Sequence, residues 1–295
     1  MNNRNFLMRG VIKPLNARYT FVNTVSLVAE AIKRHDLDPI SSIFLSQSLT
    51  AGALVSPLLE GAEEYTLRWD YAGALGTIIV NLNGRNEVRG YIQNPHLANT
   101  THDRNALFGE AGSISVVKSL EGKILNSGAA EAGLLDVTED LGFFFSTSDQ
   151  LETQIVGDIK FNTSPAQPVK ASAGFMLQAM PDCDLTAFDI KRQYILEPQF
   201  LDTLLDSALA KEERLTALFQ LIDADWSTAD YTVTESTAPE YRCKCSYEKM
   251  LNAVKLLDKI ELIEMFKTNN APKICCQFCG NEYNFTPADF DLNTL

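Results

Sequence analysis

The hydrophobic positions of this chain change period several times along its length, and each change marks an element. Between Asn23 and Arg34 the residues Val25, Val28, Ala29 and Ile32 recur at three- and four-residue steps. Phe44, Leu45, Ser48, Ala51, Val55 and Leu58 do the same between Ser41 and Leu58, just after Pro39. One face of an α-helix repeats at that spacing, so two early helices are predicted. The period then falls to two. Runs at 65–69, 77–82, 88–93 and 114–118 are rich in β-branched and aromatic residues, with the turn signal Asn83-Gly84 after the second and a loop holding Pro95 and His96 before the fourth. They predict an antiparallel meander. Helical spacing returns at 137–145, which carries Phe143-Phe144-Phe145, and strand candidates at 154–161 and 169–177 precede Met180-Pro181. Runs of strands set beside helices predict an α+β domain over residues 1–181, a mixed antiparallel sheet with packed helices.

From Asp182 the texture changes. Two amphipathic stretches, 200–209 and 214–222, are joined by acidic residues, and a Thr/Ser/Ala-rich piece at 227–239 follows. Helices this short are weak alone and depend on packing an apolar face, here Phe200, Leu201, Leu204, Leu218 and Phe219. Residues 182–240 hold thirteen Asp and Glu against four Lys and Arg, so self-repulsion adds to the weakness. A helical linker whose folding depends on its neighbours is expected there. Residues 241–295 are charge-balanced, with seven of each sign. In them Met250, Leu251, Val254 and Leu257 share one helical face, and Asp258-Lys259-Ile260-Glu261 reads as the capped start of a second helix carrying Leu262, Met265 and Phe266.

This last segment also carries the candidate chemistry. Cys243-Lys244-Cys245 is separated by thirty residues from Cys276-Gln277-Phe278-Cys279-Gly280. On an extended segment Cys-x-Cys points both sulfurs to one side, while Cys-x-x-Cys-Gly suits a knuckle whose glycine takes positive φ. Two such pairs meeting in space make a tetrahedral Cys₄ zinc site, one Zn²⁺ per chain, on Cys243, Cys245, Cys276 and Cys279. Each pair is also close enough to close on itself if the metal leaves. A segment of this size is not expected to hold its fold without the ion. Arg242 and Lys244 are at hand to offset the thiolate charge.

Composition narrows the classes. The 295 residues are 45% hydrophobic, enough for a substantial core, and the formal charge is −13. A neutral cysteine segment beside an acidic linker lacks the basic footprint of a zinc-ribbon nucleic-acid binder. There is no apolar run of membrane length, no leader-like start and no P-loop, so a soluble cytosolic protein without an ATP-driven cycle is expected. In a reducing cytosol clustered cysteines point to metal or redox chemistry rather than permanent disulfides. A purely structural zinc module and a thiol-disulfide oxidoreductase remain as alternatives, the latter without the βαβ surroundings it needs. His35, His96 and His102 are scattered and take surface or packing roles, and the Phe143-Phe144-Phe145 run reads as core.

The ordered set of Cys-x-Cys, about thirty residues and Cys-x-x-Cys, together with Val88-Arg89-Gly90-Tyr91, the 112–117 strand, Ser148-Asp149-Gln150 and Ala173-Gly174-Phe175-Met176-Leu177-Gln178-Ala179-Met180-Pro181, resembles the 33 kDa chaperonin family of redox-regulated heat-shock holdases over nearly the whole chain. The resemblance implies an N-terminal chaperone core (1–181), a metastable linker (182–240) and a zinc-binding redox switch (241–295). It implies an ATP-independent, non-enzymatic chaperone for unfolding proteins, inactive when reduced and zinc-bound. Oxidation releases the zinc, forms Cys243–Cys245 and Cys276–Cys279, and unfolds the linker. A homodimer of the oxidised form stays open. The chain departs from the family pattern in Asp149, where the family usually has Glu, and in two extra thiols. Cys275 is expected to face away from the metal, and Cys183, flanked by Asp182 and Asp184, to be inert.

Overall fold

A computed structural model gives the structure and describes residues 5–98, 103–164, 166–267 and 273–290. The first elements are β1 (Phe6–Ile12), β2 (Ala17–Asn23), α1 (Val25–His35) and α2 (Pro39–Val55). After them come β3 (Glu63–Tyr71), β4 (Thr77–Asn83), β5 (Glu87–Ile92), α3 (Arg104–Phe108), β6 (Gly112–Leu120) and β7 (Lys123–Glu131). The chain continues through α4 (Val137–Ser148), β8 (Thr153–Phe161), β9 (Val169–Ala179), α5 (Leu185–Tyr194), α6 (Pro198–Leu204) and α7 (Lys211–Ile222). Last are β10 (Thr234–Ser236), β11 (Glu240–Tyr241), α8 (Tyr247–Val254), α9 (Lys259–Lys267), β12 (Lys273–Cys275) and β13 (Glu282–Asn284). They form two compact units, Met1–Tyr241 and Arg242–Leu295.

In the first unit one sheet runs β10-β1-β2-β9-β8 and another runs β11-β5-β4-β3-β6-β7. Three runs of the predicted meander pair in chain order as β3, β4 and β5, but the fourth, β6, crosses over to pair with β3 instead of β5; neighbours in this second sheet are antiparallel apart from β11, which runs parallel to β5. α2 packs on strands of both sheets. Leu45, Leu49, Leu54 and Val55 are buried on it, but so are Ser41, Ser46, Ser48 and Thr50, which leaves little of the helix facing water. Its hydroxyls are satisfied locally: Ser48 donates to the Phe44 carbonyl at 2.8 Å, and Thr50 shares a hydrogen bond with Thr24 at 2.8 Å. β8 and β9 make room for the helix at the paired Gly157 and Gly174, where a Cβ on Gly174 would stand 2.6 Å from the Thr50 methyl.

The first sheet is covered on both faces, and strand periodicity sorts its side chains. Leu7, Val22, Ile155 and Met176 enter the core around α2. Their neighbours Met8, Phe21, Val156, Phe175 and Leu177 point the other way, into a second core with Phe188 of α5, Phe200 and Leu204 of α6, and Leu215, Leu218 and Phe219 of α7. Aromatic edges bind this second core: Phe175 meets Phe200 at 5.4 Å, and Tyr19 meets Phe219 at 4.9 Å. The segment expected as a linker is therefore a lid of short helices on the sheet face, within the first unit.

The second unit holds α8, α9 and the β12–β13 hairpin around Val254, Leu262, Phe285 and Phe290. Ser246 caps α8 through Lys249 N–H, and Asp258 accepts from Ile260 N–H at the start of α9. Met250, Leu251 and Phe266 pack against this core as expected. Leu257 does not. It is 41% exposed, because α8 ends at Val254 and the helical rotation stops before it reaches residue 257.

Candidate metal centre

Residues 242–245 belong to neither helix nor strand, and burial alternates along them: Arg242 and Lys244 are exposed, Cys243 and Cys245 half-buried. Period two thus turns both sulfurs to one side. The other pair sits on a knuckle. Cys276 N–H donates to the Asn281 carbonyl at 2.9 Å, and the Cys276 carbonyl accepts from Cys279 N–H at 3.2 Å and Gly280 N–H at 2.8 Å. The tight return needs Gly280 at φ 72°, a left-handed conformation that a side chain disfavours. Cys276 and Cys279 are buried.

The four sulfurs lie within 4.8 Å of one another. Cys243 Sγ is 3.7 Å from Cys276 Sγ, and Cys245 Sγ is 3.3 Å from Cys279 Sγ, all as free thiols. A tetrahedron with metal–sulfur bonds of about 2.3 Å has edges of roughly 3.8 Å, so the cluster has the size that one ion requires. It could hold a metal ion. Burial pushes the Cys276 and Cys279 thiols up, while backbone N–H groups of Phe278 and Asn281 pull the other way. Tyr283 O–H donates to Cys245 Sγ at 3.0 Å, and that bond, more than its burial, pushes the phenol up to about 12.

A family model described as Hsp33 protein matches residues 5–286. The chain belongs to the Hsp33 family. The 33 kDa chaperonin of Staphylococcus aureus (strain Newman) is 30% identical over 277 residues, covering 92% of this chain and 91% of that protein, and the strain COL protein matches equally. The crystal structure of the 33 kDa chaperonin from Thermotoga maritima, a heat shock protein 33 homolog, has a TM-score of 0.83 at 22% identity, over 97% of this chain and 96% of that one. Hsp33 membership supports a chaperone function, and the clustered cysteines suit zinc and redox chemistry. Among the described residues no helix is long and apolar enough to cross a membrane.

The remaining candidate residues of this Hsp33 member stand apart from the cluster. Cys275 ends β12 with an exposed side chain, its sulfur 3.5 Å from the Gly280 carbonyl. Cys183 is half-buried, donates to the Leu15 carbonyl at 3.0 Å, and has its thiol pushed up first by burial and then by Asp184. His35 hydrogen-bonds Tyr241 at 3.0 Å, His96 is exposed, and His102 lies outside the described residues. Phe144 and Phe145 are core, whereas Phe143 is 41% exposed: three consecutive residues cannot share one helix face. Tyr283 is the participant that sequence reasoning missed, since a tyrosine two residues before a buried Phe285 on a short strand reads only as packing.

Proposed function

We propose that the chain is an ATP-independent holdase whose activity is set by the oxidation state of four cysteines. Residues 1–181 serve as the client-binding core, 182–240 as the releasable linker and 241–295 as the switch. In the reduced state Cys243, Cys245, Cys276 and Cys279 hold one Zn²⁺, which supplies the folding energy that so small a core lacks; structural zinc contributes on the order of 10–16 kcal/mol in small peptides. The observation carrying this reading is the cluster itself, two close thiol pairs converging from separate segments to the dimensions of a single ion.

Oxidation removes the ligand set. Each disulfide takes two electrons from a pair of thiolates and passes them to one peroxide, which with two protons leaves as two waters. The pairs are Cys243–Cys245 and Cys276–Cys279. Two close sulfur contacts of the folded cluster run across the pairs, but once the module loosens, a cross-pair must close a loop of about thirty residues at higher entropic cost. Cys243 stands two residues beyond the end of β11 at Tyr241, so loss of the switch fold frees the chain at the linker's end. The apolar sheet face under α5, α6 and α7 then becomes available to unfolding proteins in the cytoplasm. The test is peroxide titration of reduced protein with a zinc-sensitive dye and peptide mapping. One zinc released per chain with the two local disulfides is the expected result. Protein purified reduced without zinc, or a dominant linkage through Cys183 or Cys275, contradicts it.

A further inference from the structure

Residues 229–241 lie along the edges of both sheets of the first unit. Lys13 N–H donates to the Asp230 carbonyl at 2.8 Å, and Tyr231 bridges Ile12. Thr232 N–H donates to the Val11 carbonyl at 3.0 Å, and its hydroxyl accepts from Val11 N–H at 2.9 Å. Thr234, Glu235 and Ser236 then pair with Arg9, Met8 and Leu7. Four residues on, Glu240 and Tyr241 pair with Glu87 and Val88, so the same strap closes the edges of β1 and β5.

The strap is held largely by its backbone, with the Thr232 hydroxyl on Val11 N–H and a Lys211–Glu235 ion pair added from side chains. Thr232, Val233, Thr234 and Glu235 are all exposed, whereas Tyr231 is buried, 4.2 Å from the Phe219 ring. The seat is shaped for main chain as well: Tyr19 O–H donates to the Thr232 carbonyl at 2.8 Å, and a Cβ on Gly10 would stand 1.9 Å from that oxygen. A sheet edge that has lost its partner is a template for any extended chain.

We infer that the β1 edge, vacated by the strap, is a client-binding seat that takes an extended segment of unfolded polypeptide as an added antiparallel strand. The inference rests on the proposed switch, which must first release residues 229–241. Recognition is through backbone N–H and C=O groups along 7–13, so it tolerates varied sequence and rejects strands whose inward amides are blocked. Two positions select: that of Tyr231, where the incoming strand places an apolar side chain over Ile12 and the face that α7 has left, and that of Thr232, where a hydroxyl meets Val11 N–H.

The test uses the full chain, reduced with zinc and peroxide-treated, and a fluorescent peptide of residues 229–238. A twin peptide is N-methylated at Thr232, Thr234 and Ser236, the amides in phase with the Thr232 N–H that meets β1. Anisotropy is expected to show binding to oxidised protein only, at least tenfold weaker for the methylated twin, with the peptide displaced by excess denatured client. Gly10→Val is expected to abolish peptide binding; should that variant not fold, the peptide pair on the unaltered chain decides. Equal binding of both peptides, or no competition by client, overturns the seat while an oxidised chain that still suppresses client aggregation leaves the holdase reading intact. Failure to suppress aggregation sinks both.

Discussion

Arg214 is 2% exposed in the core between the first sheet and its lid of helices, its guanidinium 5.4 Å from the Phe6 ring and 5.1 Å from the Phe21 ring. Nη1 donates to the carbonyls of Leu204 (3.2 Å) and Asp206 (3.3 Å) at the open end of α6, while Nε finds no partner. Burial pushes its pKa down to about 10. Because the docked value lies below the undocked one, the released linker binds more protons between about 10 and the usual arginine range, and docking strengthens only as pH rises through that window. At neutral pH the desolvation cost is fully present. Arg214→Ala relieves it but leaves a cavity and two carbonyls without donors, and those losses are larger. It is expected to weaken lid docking by about 2–4 kcal/mol, read as faster hydrogen exchange in α6 and α7 while α2 stays protected. Cys275→Ser is expected to leave zinc content unchanged by elemental analysis, since that side chain points to solvent; loss of the metal overturns the ligand set. The cysteine pairs were legible in the sequence because spacing alone fixes where their sulfurs point. Arg214 was not, because Lys211-Glu212-Glu213-Arg214 reads as a solvated charge run until the helix is seen to turn its fourth residue inward.

Elements were legible where one face is buried and the other wet. β3, β4 and β5 alternate for that reason. β1 and β2, which escaped, are covered on both faces, one by the α2 core and the other by the lid, so period two is absent from Phe-Leu-Met-Arg-Gly-Val-Ile; β8 and β9 share that burial and were legible only as apolar runs. β7 escaped for the opposite reason: it is a mostly exposed edge strand with no buried stripe to show. α6 and α7 were legible as amphipathic stretches and α5 was not, and none was legible as docked, because the partner face is assembled from separate strands, with Met8 and Phe21 beside Phe175 and Leu177. Leu204 and Leu218 are each fully buried there. Leu204→Asp and Leu218→Asp place an uncompensated carboxylate in that core, at a cost of about 2–5 kcal/mol. Each variant is expected to suppress client aggregation while still reduced and zinc-loaded. If hydrogen exchange reports an undocked lid and the variants remain inactive, lid release is not the activating event.

At the scale of the whole molecule, stability is distributed unequally between the two units. The first has a core of two sheets around α2, whereas the second has Val254, Leu262, Phe285 and Phe290 as its buried centre. With the proposed zinc as its cross-link, a core so small is expected to depend on the ion, and loss of the ion is expected to act on the first unit through the strap that ends at Tyr241. What the strap and lid cover is apolar sheet and open strand edge, the two kinds of surface that capture unfolded chains. The decisive measurement is light scattering of a chemically unfolded client diluted into buffer with reduced, zinc-loaded protein and, side by side, with peroxide-treated protein, both without ATP. Suppression by the oxidised protein and not by the reduced one is the predicted result; equal suppression by both, or suppression by the reduced protein alone, contradicts a switch built on these four cysteines.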